Sequence, residues 1–169
     1  ALRRSTIPRA TRSGSGRTWT AERTPRRAAT IGRVQLVDSH CHLDFEGMEE
    51  NLPGILARAE EAGVGLMLSI SSRVARFPHL LRIAESHANV FCTVGTHPHN
   101  AHEEPDVTAA DLVKLTQHPK VVGIGEVGLD YHYDFSPREA QMKGVRTHIA
   151  AARETGLPLR PLVVVQLDS

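Results

Sequence analysis

Three short segments of this 169-residue chain concentrate side chains able to hold a metal ion or a phosphate. The first reads Asp38-Ser39-His40-Cys41-His42-Leu43-Asp44. In an extended chain, residues two apart share a face, so His40 and His42 can converge while Cys41 points away. Two imidazoles delivered from one rigid strand end make half a site for a divalent ion. His-x-His by itself is a weak signal in a chain with ten His, and the pair also fits ordinary surface or core histidines. The second segment is Gly95-Thr96-His97-Pro98-His99. Its two His fit donors to a phosphate facing the same cavity as His40 and His42, and they fit equally an exposed loop with incidental histidines. The third is Gly123-Ile124-Gly125-Glu126-Val127-Gly128-Leu129-Asp130. A carboxylate among small apolar residues at the end of a buried strand is costly unless it is paired or bound to a metal. The flanking Gly permit close backbone approach. Glu126 therefore reads as a metal ligand, or as a structural Glu in a salt bridge.

These segments need elements to position them. Nearly continuous apolar runs at Val34–Val37, Val64–Ile70, Val90–Val94 and Val121–Ile124 read as parallel strands covered on both faces. Between them lie helical patterns. Leu52–Ala62 stops at Gly63, and Pro78–His87 places Leu80, Leu81 and Ala84 on one face. Thr108–His118 opens with a cap-like Thr108/Asp111 pair. The longest helix is predicted at Pro137–Thr155, with Ser136 as N-cap, Glu139 completing a capping box and Gly156 as the stop. Strand ends near residues 39, 71, 96 and 126 repeat at 32, 25 and 30 residues, the length of a βα unit. Four such units indicate an α/β fold, either part of a barrel or a doubly wound sheet. Polar residues gathered at the C-terminal ends of strands 1, 3 and 4 favour the barrel.

The ordered set DSHCHLDF, GTHPH and GEVGLDYHYDFSPREAQ, followed by a helix leading to TGLPL, resembles the TatD family of metal-dependent deoxyribonucleases. The resemblance runs from Leu36 to Leu159. It implies a TIM-type (β/α)8 barrel, of which this chain holds the N-terminal half in about four units. It also implies two divalent ions (Zn, Mn or Mg) and hydrolysis of phosphodiester bonds in DNA. Carried over by position, His40 and His42 bind one metal, Glu126 bridges both, and His97 binds or protonates the phosphate. His99, Asp130 and His132 are candidates to support those ligands. Two metals about 4 Å apart would stabilise attacking and leaving oxygens and lower the pKa of a bound water. An amidohydrolase-type barrel also places His-x-His after its first strand, but GEVGLDYH argues against it. A third reading is an inactive remnant or binding fragment.

The resemblance ends at Leu159. The family continues along strand five to a His that binds the second metal, whereas this chain reads Arg160-Pro161-Leu162-Val163-Val164-Val165-Gln166-Leu167-Asp168-Ser169. Arg160 and Pro161 are poor choices for a buried central strand, and no His follows His148. The change predicts a truncated or frame-shifted C-terminus and an incomplete second metal site. Four units alone would leave sheet edges and apolar surface open, which predicts marginal stability or self-association.

Charge divides the chain although the net value is only +1. Residues 1–33 hold nine Arg against the single acid Glu22, while residues 34–169 hold eleven Lys and Arg against eighteen Asp and Glu. Low hydrophobicity and high charge predict a disordered extension over 1–33, though a transit peptide or a nucleic-acid-binding arm fits the same composition. The acidic part gives no charge-based support for DNA binding, so that expectation rests on the resemblance. No apolar run is long enough to span a membrane. With only Cys41 and Cys92, a reducing, cytoplasmic compartment is expected.

Overall fold

The computed structural model describes residues 36–164. Expectations for the Arg-rich segment 1–33 lie outside those residues. Five strands and four helices alternate: β1 Leu36–Cys41, α1 Leu52–Glu61, β2 Val64–Ser69, α2 Phe77–Ser86, β3 Val90–Val94, α3 Ala109–Leu115, β4 Val121–Asp130, α4 Arg138–Thr155 and β5 Leu159–Val164. All neighbouring strands pair in parallel, in the order β1-β2-β3-β4-β5. A doubly wound sheet reverses its strand order at a switch point. A monotonic order with right-handed crossovers puts every helix on one face instead, which is the wall of a barrel.

The core lies between that wall and its helices. Met67, Val90, Cys92, Val94 and Ile124 from the strands meet Leu52, Phe77, Leu80, Ile83, Ala84, Leu112 and Ala151 from the helices. Phe77 and Leu80 are almost wholly enclosed, and each such side chain contributes about 2 kcal/mol by burial. On α2 the inward stripe is Phe77, Leu80, Ile83 and Ala84, while Leu81 is only partly buried. The stripe is therefore turned slightly from the predicted face.

Thr108 caps α3 in a reciprocal capping box with Asp111, as its spacing predicts. The N-terminus of α4 departs from expectation. Pro137 is the N-cap and Ser136 makes no cap bond. The Ser136 hydroxyl is spent on the loop after β3, donating to the His99 carbonyl at 2.8 Å and accepting from His102 N at 3.2 Å. At the other end Gly156 takes a left-handed conformation, φ 70°, as a stop should.

Two strands differ from their sequence reading. β4 runs six residues past Ile124, because a register shift between Ile124 and Val127 lets it resume pairing with β5 through Asp130. Gly125 at that shift has φ 123°, and a Cβ on Gly95 would lie 2.5 Å from Gly125 Cα. Only glycine fits that crossing of β3 and β4. β5 forms despite Arg160 and Pro161. It is an edge strand of the described sheet, where Pro161 is exposed and its missing N–H costs little.

Candidate functional site

β1 ends at Cys41, and its alternation does what the spacing implies. Cys41 turns toward the core, its thiol donating to the Leu68 carbonyl, and burial pushes that thiol up to about 12. His40 and His42 lie on the other face with ring centroids 5.2 Å apart. Glu126 on β4 joins them, and one donor atom from each of the three residues lies within 4.8 Å of the others. Glu126 is only 6 % exposed. Its Oε2 stands 3.7 Å from His40 Nε2 and 3.9 Å from His97 Nε2, too far for hydrogen bonds. An ion with ligand bonds of about 2.0–2.2 Å fits between donors at such separations. Two imidazoles and a nearly buried carboxylate are also the right donor chemistry for a divalent ion.

Three consecutive carbonyls at the end of β2 hold this arrangement in register. His42 Nδ1 donates to Ile70 O at 3.0 Å, Glu126 N to Ser71 O at 3.0 Å, and His97 N to Ser72 O at 2.9 Å. No residue of β2 was singled out by the sequence, because the groups at work are main-chain. The one visible signal is a polar Ser71-Ser72 pair directly after an apolar strand.

His97 is neutral at ordinary pH. Desolvation, then the nearby His99 and His42, lower its pKa to about 4. Its Nδ1 accepts from His99 N at 3.1 Å, so the ring proton sits on Nε2, the nitrogen toward Glu126. His97 thus offers a neutral N–H donor to the cleft.

Asp130 and His99 form a separate pair beside it, with His99 Nε2 2.5 Å from Asp130 Oδ2. Asp130 is 1 % exposed. Burial pushes its carboxyl up, but N–H groups of Tyr133 and His132 together with His99 outweigh this and leave it below the ordinary range. His99 packs edge-on against His97 at 4.4 Å. His132 is placed differently. Its backbone N–H reaches Asp130, while its ring is exposed and lies edge-on to Tyr133.

Three supporting residues escaped the sequence reading. Gln141 on α4 accepts from Asp130 N at 2.7 Å and donates to the carbonyls of Asp130 and Ser136. His148, seven residues on, accepts from Thr96 N at 3.0 Å and donates to Gly144 O at 2.8 Å. Glu104 receives the Thr96 hydroxyl and the N–H groups of Val74 and Ala75. Gln141 and His148 share the inward face of a helix with few apolar residues there, and polar residues at core positions were the available clue.

Beyond the cluster, a cleft of about 570 Å³ is lined by His42, Phe45, Arg73, Arg76, His97 and His99, among others. Phe45 stacks on His42 with centroids 4.4 Å apart. Tyr133 and Phe135, both edge-on to His99, are parallel within 4° at 5.6 Å and mostly exposed.

The fold and site together define a parallel α/β barrel wall whose strand ends present a His/Glu cluster fit for a divalent ion. The family described as TatD related DNase matches residues 37–160, and the chain belongs to that family. It is 40 % identical over 107 residues to a 3'-5' ssDNA/RNA exonuclease TatD of Erwinia amylovora, covering 62 % of this chain and 41 % of that protein. It is 32 % identical over 124 residues to the uncharacterized metal-dependent hydrolase YabD of Bacillus subtilis, covering 73 % and 49 %. Among solved structures, the TatD homolog YJJV of Escherichia coli superposes with a TM-score of 0.69 at 29 % identity, over 75 % of this chain and 49 % of that one. The chain spans about half the length of these relatives.

Proposed function

We propose that this chain is the half of a metal-dependent nuclease that binds the first divalent ion and presents the phosphate donor. The convergence of His40, His42 and Glu126 within 4.8 Å carries the reading. A divalent ion there would supply Lewis-acid activation of water and of a phosphodiester oxygen. Glu126, with imidazoles on both sides, is the carboxylate best placed to be shared between two ions. His97 orients a phosphate oxygen through its Nε2–H. The Asp130–His99 pair packs behind His97 and holds it in place. Phe45 beside His42 and the Tyr133–Phe135 stack beside His99 offer flat faces to unpaired bases. That supports single-stranded nucleic acid as substrate, in line with the name of the Erwinia relative.

A reducing, cytoplasmic setting is supported by Cys41 and Cys92, which the fold leaves as free thiols. Among the described residues no helix is long and apolar enough to cross a membrane. Exposed Leu36, Val37 and Val163 on the two edge strands support self-association of the 169-residue chain.

Isothermal titration with Zn²⁺, Mn²⁺ and Mg²⁺, paired with degradation of end-labelled single-stranded DNA, tests the reading. Glu126→Ala should weaken the tightest-binding metal by roughly 100-fold or more. Equal binding by wild type and variant would remove Glu126 from the site.

A further inference from the structure

The two histidines of β1 meet opposite kinds of partner at Nδ1. His42 Nδ1 faces the Ile70 carbonyl. A carbonyl only accepts, so the ring proton stays on Nδ1 and Nε2 keeps its lone pair for a metal. His40 Nδ1 faces Arg160 Nη2 at 3.3 Å. A guanidinium only donates, so the Nδ1 lone pair is engaged. The neutral ring then carries its proton on Nε2, the nitrogen that stands 3.7 Å from Glu126 Oε2. In that tautomer Nε2 has no lone pair to give.

Arg160 is anchored in this position. The same Nη2 donates to the Ser39 carbonyl at 3.1 Å, so a side chain from β5 is held against β1 some 120 residues earlier. Its positive charge is permanent and lies beside the donor set a divalent cation would use. At its root, the Arg160 backbone and Cβ lie against Gly125, the residue preceding Glu126, where an added Cβ would come within 2.7 Å of Arg160 O. Arg160 therefore touches the surroundings of two of the three candidate ligands.

We propose that Arg160 is a built-in competitor for the divalent ion at His40, His42 and Glu126. It holds His40 in the non-coordinating tautomer and sets a fixed positive charge against the incoming one. Loading the site requires the guanidinium to swing off His40 and one ring proton to pass, by way of solvent, from Nε2 to Nδ1. The proton count of the ring is unchanged by this exchange. The proposal rests on reading the cluster as a metal site, and it makes that site a weak one in this chain, opened when something draws Arg160 away. A nucleic-acid phosphate has the chemistry to do so.

The full-length chain tests this in two ways. Long-range ¹H–¹⁵N correlation of the metal-free protein should show His40 protonated at Nε2 and His42 at Nδ1. Titration with Zn²⁺ and Mn²⁺ should show Arg160→Met and Arg160→Gln binding at least roughly tenfold tighter than wild type, and His42→Ala binding more weakly. Two neutral variants are used so that either one with the wild-type circular dichroism suffices. If His42→Ala loses metal but neither Arg160 variant gains, the competitor proposal is wrong and the metal site stands. A metal-free His40 protonated at Nδ1 would overturn the proposal just as directly. If no version binds metal, both readings fall.

Discussion

The two carboxylates of β4 lie four residues apart, both nearly closed to solvent, and their surroundings differ completely. Asp130 accepts from two backbone N–H groups and pairs with His99, while Gln141 satisfies the adjoining main chain. Glu126 faces two imidazoles at distances beyond hydrogen bonding. The contrast extends outward. The Asp130 side is a buried wall backed by β3 and α4, whereas the Glu126 side opens on a rim formed by edge strands β1 and β5, with the His40 side chain 40 % exposed. A buried carboxylate whose needs the protein meets is architecture. One whose needs it leaves unmet, among donors spaced for an ion, is a place for chemistry.

If that division holds, substitutions in the wall should cost stability and those at the rim should cost ligand affinity. The largest effect is expected at Gly95. Valine there drives a side chain into the Gly125 backbone, and urea denaturation should show a loss of about 3 kcal/mol or an insoluble protein. Wild-type stability in Gly95→Val would mean that the β3–β4 crossing is looser than described.

A smaller effect is expected from acid. His97 has a folded pKa of about 4 against about 6.5 unfolded. Between those values the unfolded chain binds a proton that the folded one refuses, so stability is full above pH 6.5 and falls toward pH 4. Buried His148 shifts in the same direction, again by desolvation. Asp130, with its lowered pKa, contributes in the same sense but only at still lower pH. Urea midpoints of the metal-free chain at pH 7.5 and 4.5 should differ by about 2 kcal/mol for His97 alone, and the His97→Gln variant should lose that share. An unchanged slope would place His97 in solvent.

The smallest effect on folding is expected at the rim. His40→Ala removes a half-exposed ring with no buried bond, so stability should move by less than about 0.5 kcal/mol. Metal affinity should nevertheless fall roughly tenfold or more. A large stability loss with unchanged metal binding would reverse the roles of wall and rim.

Much of this organisation is legible in the sequence. Apolar runs and turn signals located the strands and helices, because a βα unit repeats the same solution to burying one sheet face. His40, His42, Glu126 and His97 were legible because polar residues at strand ends break that pattern. The length of β4 was not, since a strand ending near residue 126 gives no sign that pairing resumes beyond the shift at Gly125. Ser136 looks like a cap in the sequence because its neighbours fit the rule. The competing demand came from a loop 34 residues earlier that local spacing does not reveal. Gln141 and His148 were concealed within a helix pattern, and Arg160 was read as a misfit in a strand when its long stem carries its charge to another strand altogether.

The carbonyls of Ile70, Ser71 and Ser72 belong to the peptide bond, which every residue possesses. Ile70 is wholly buried and answers to packing, but a family could let the letter at 72 drift while the spacing of its reactive groups stays fixed. A scan of side-chain replacements would report tolerance there. Only an edit to the main chain itself, such as an ester in place of one amide, would expose how much of the site's geometry is inherited without being spelled.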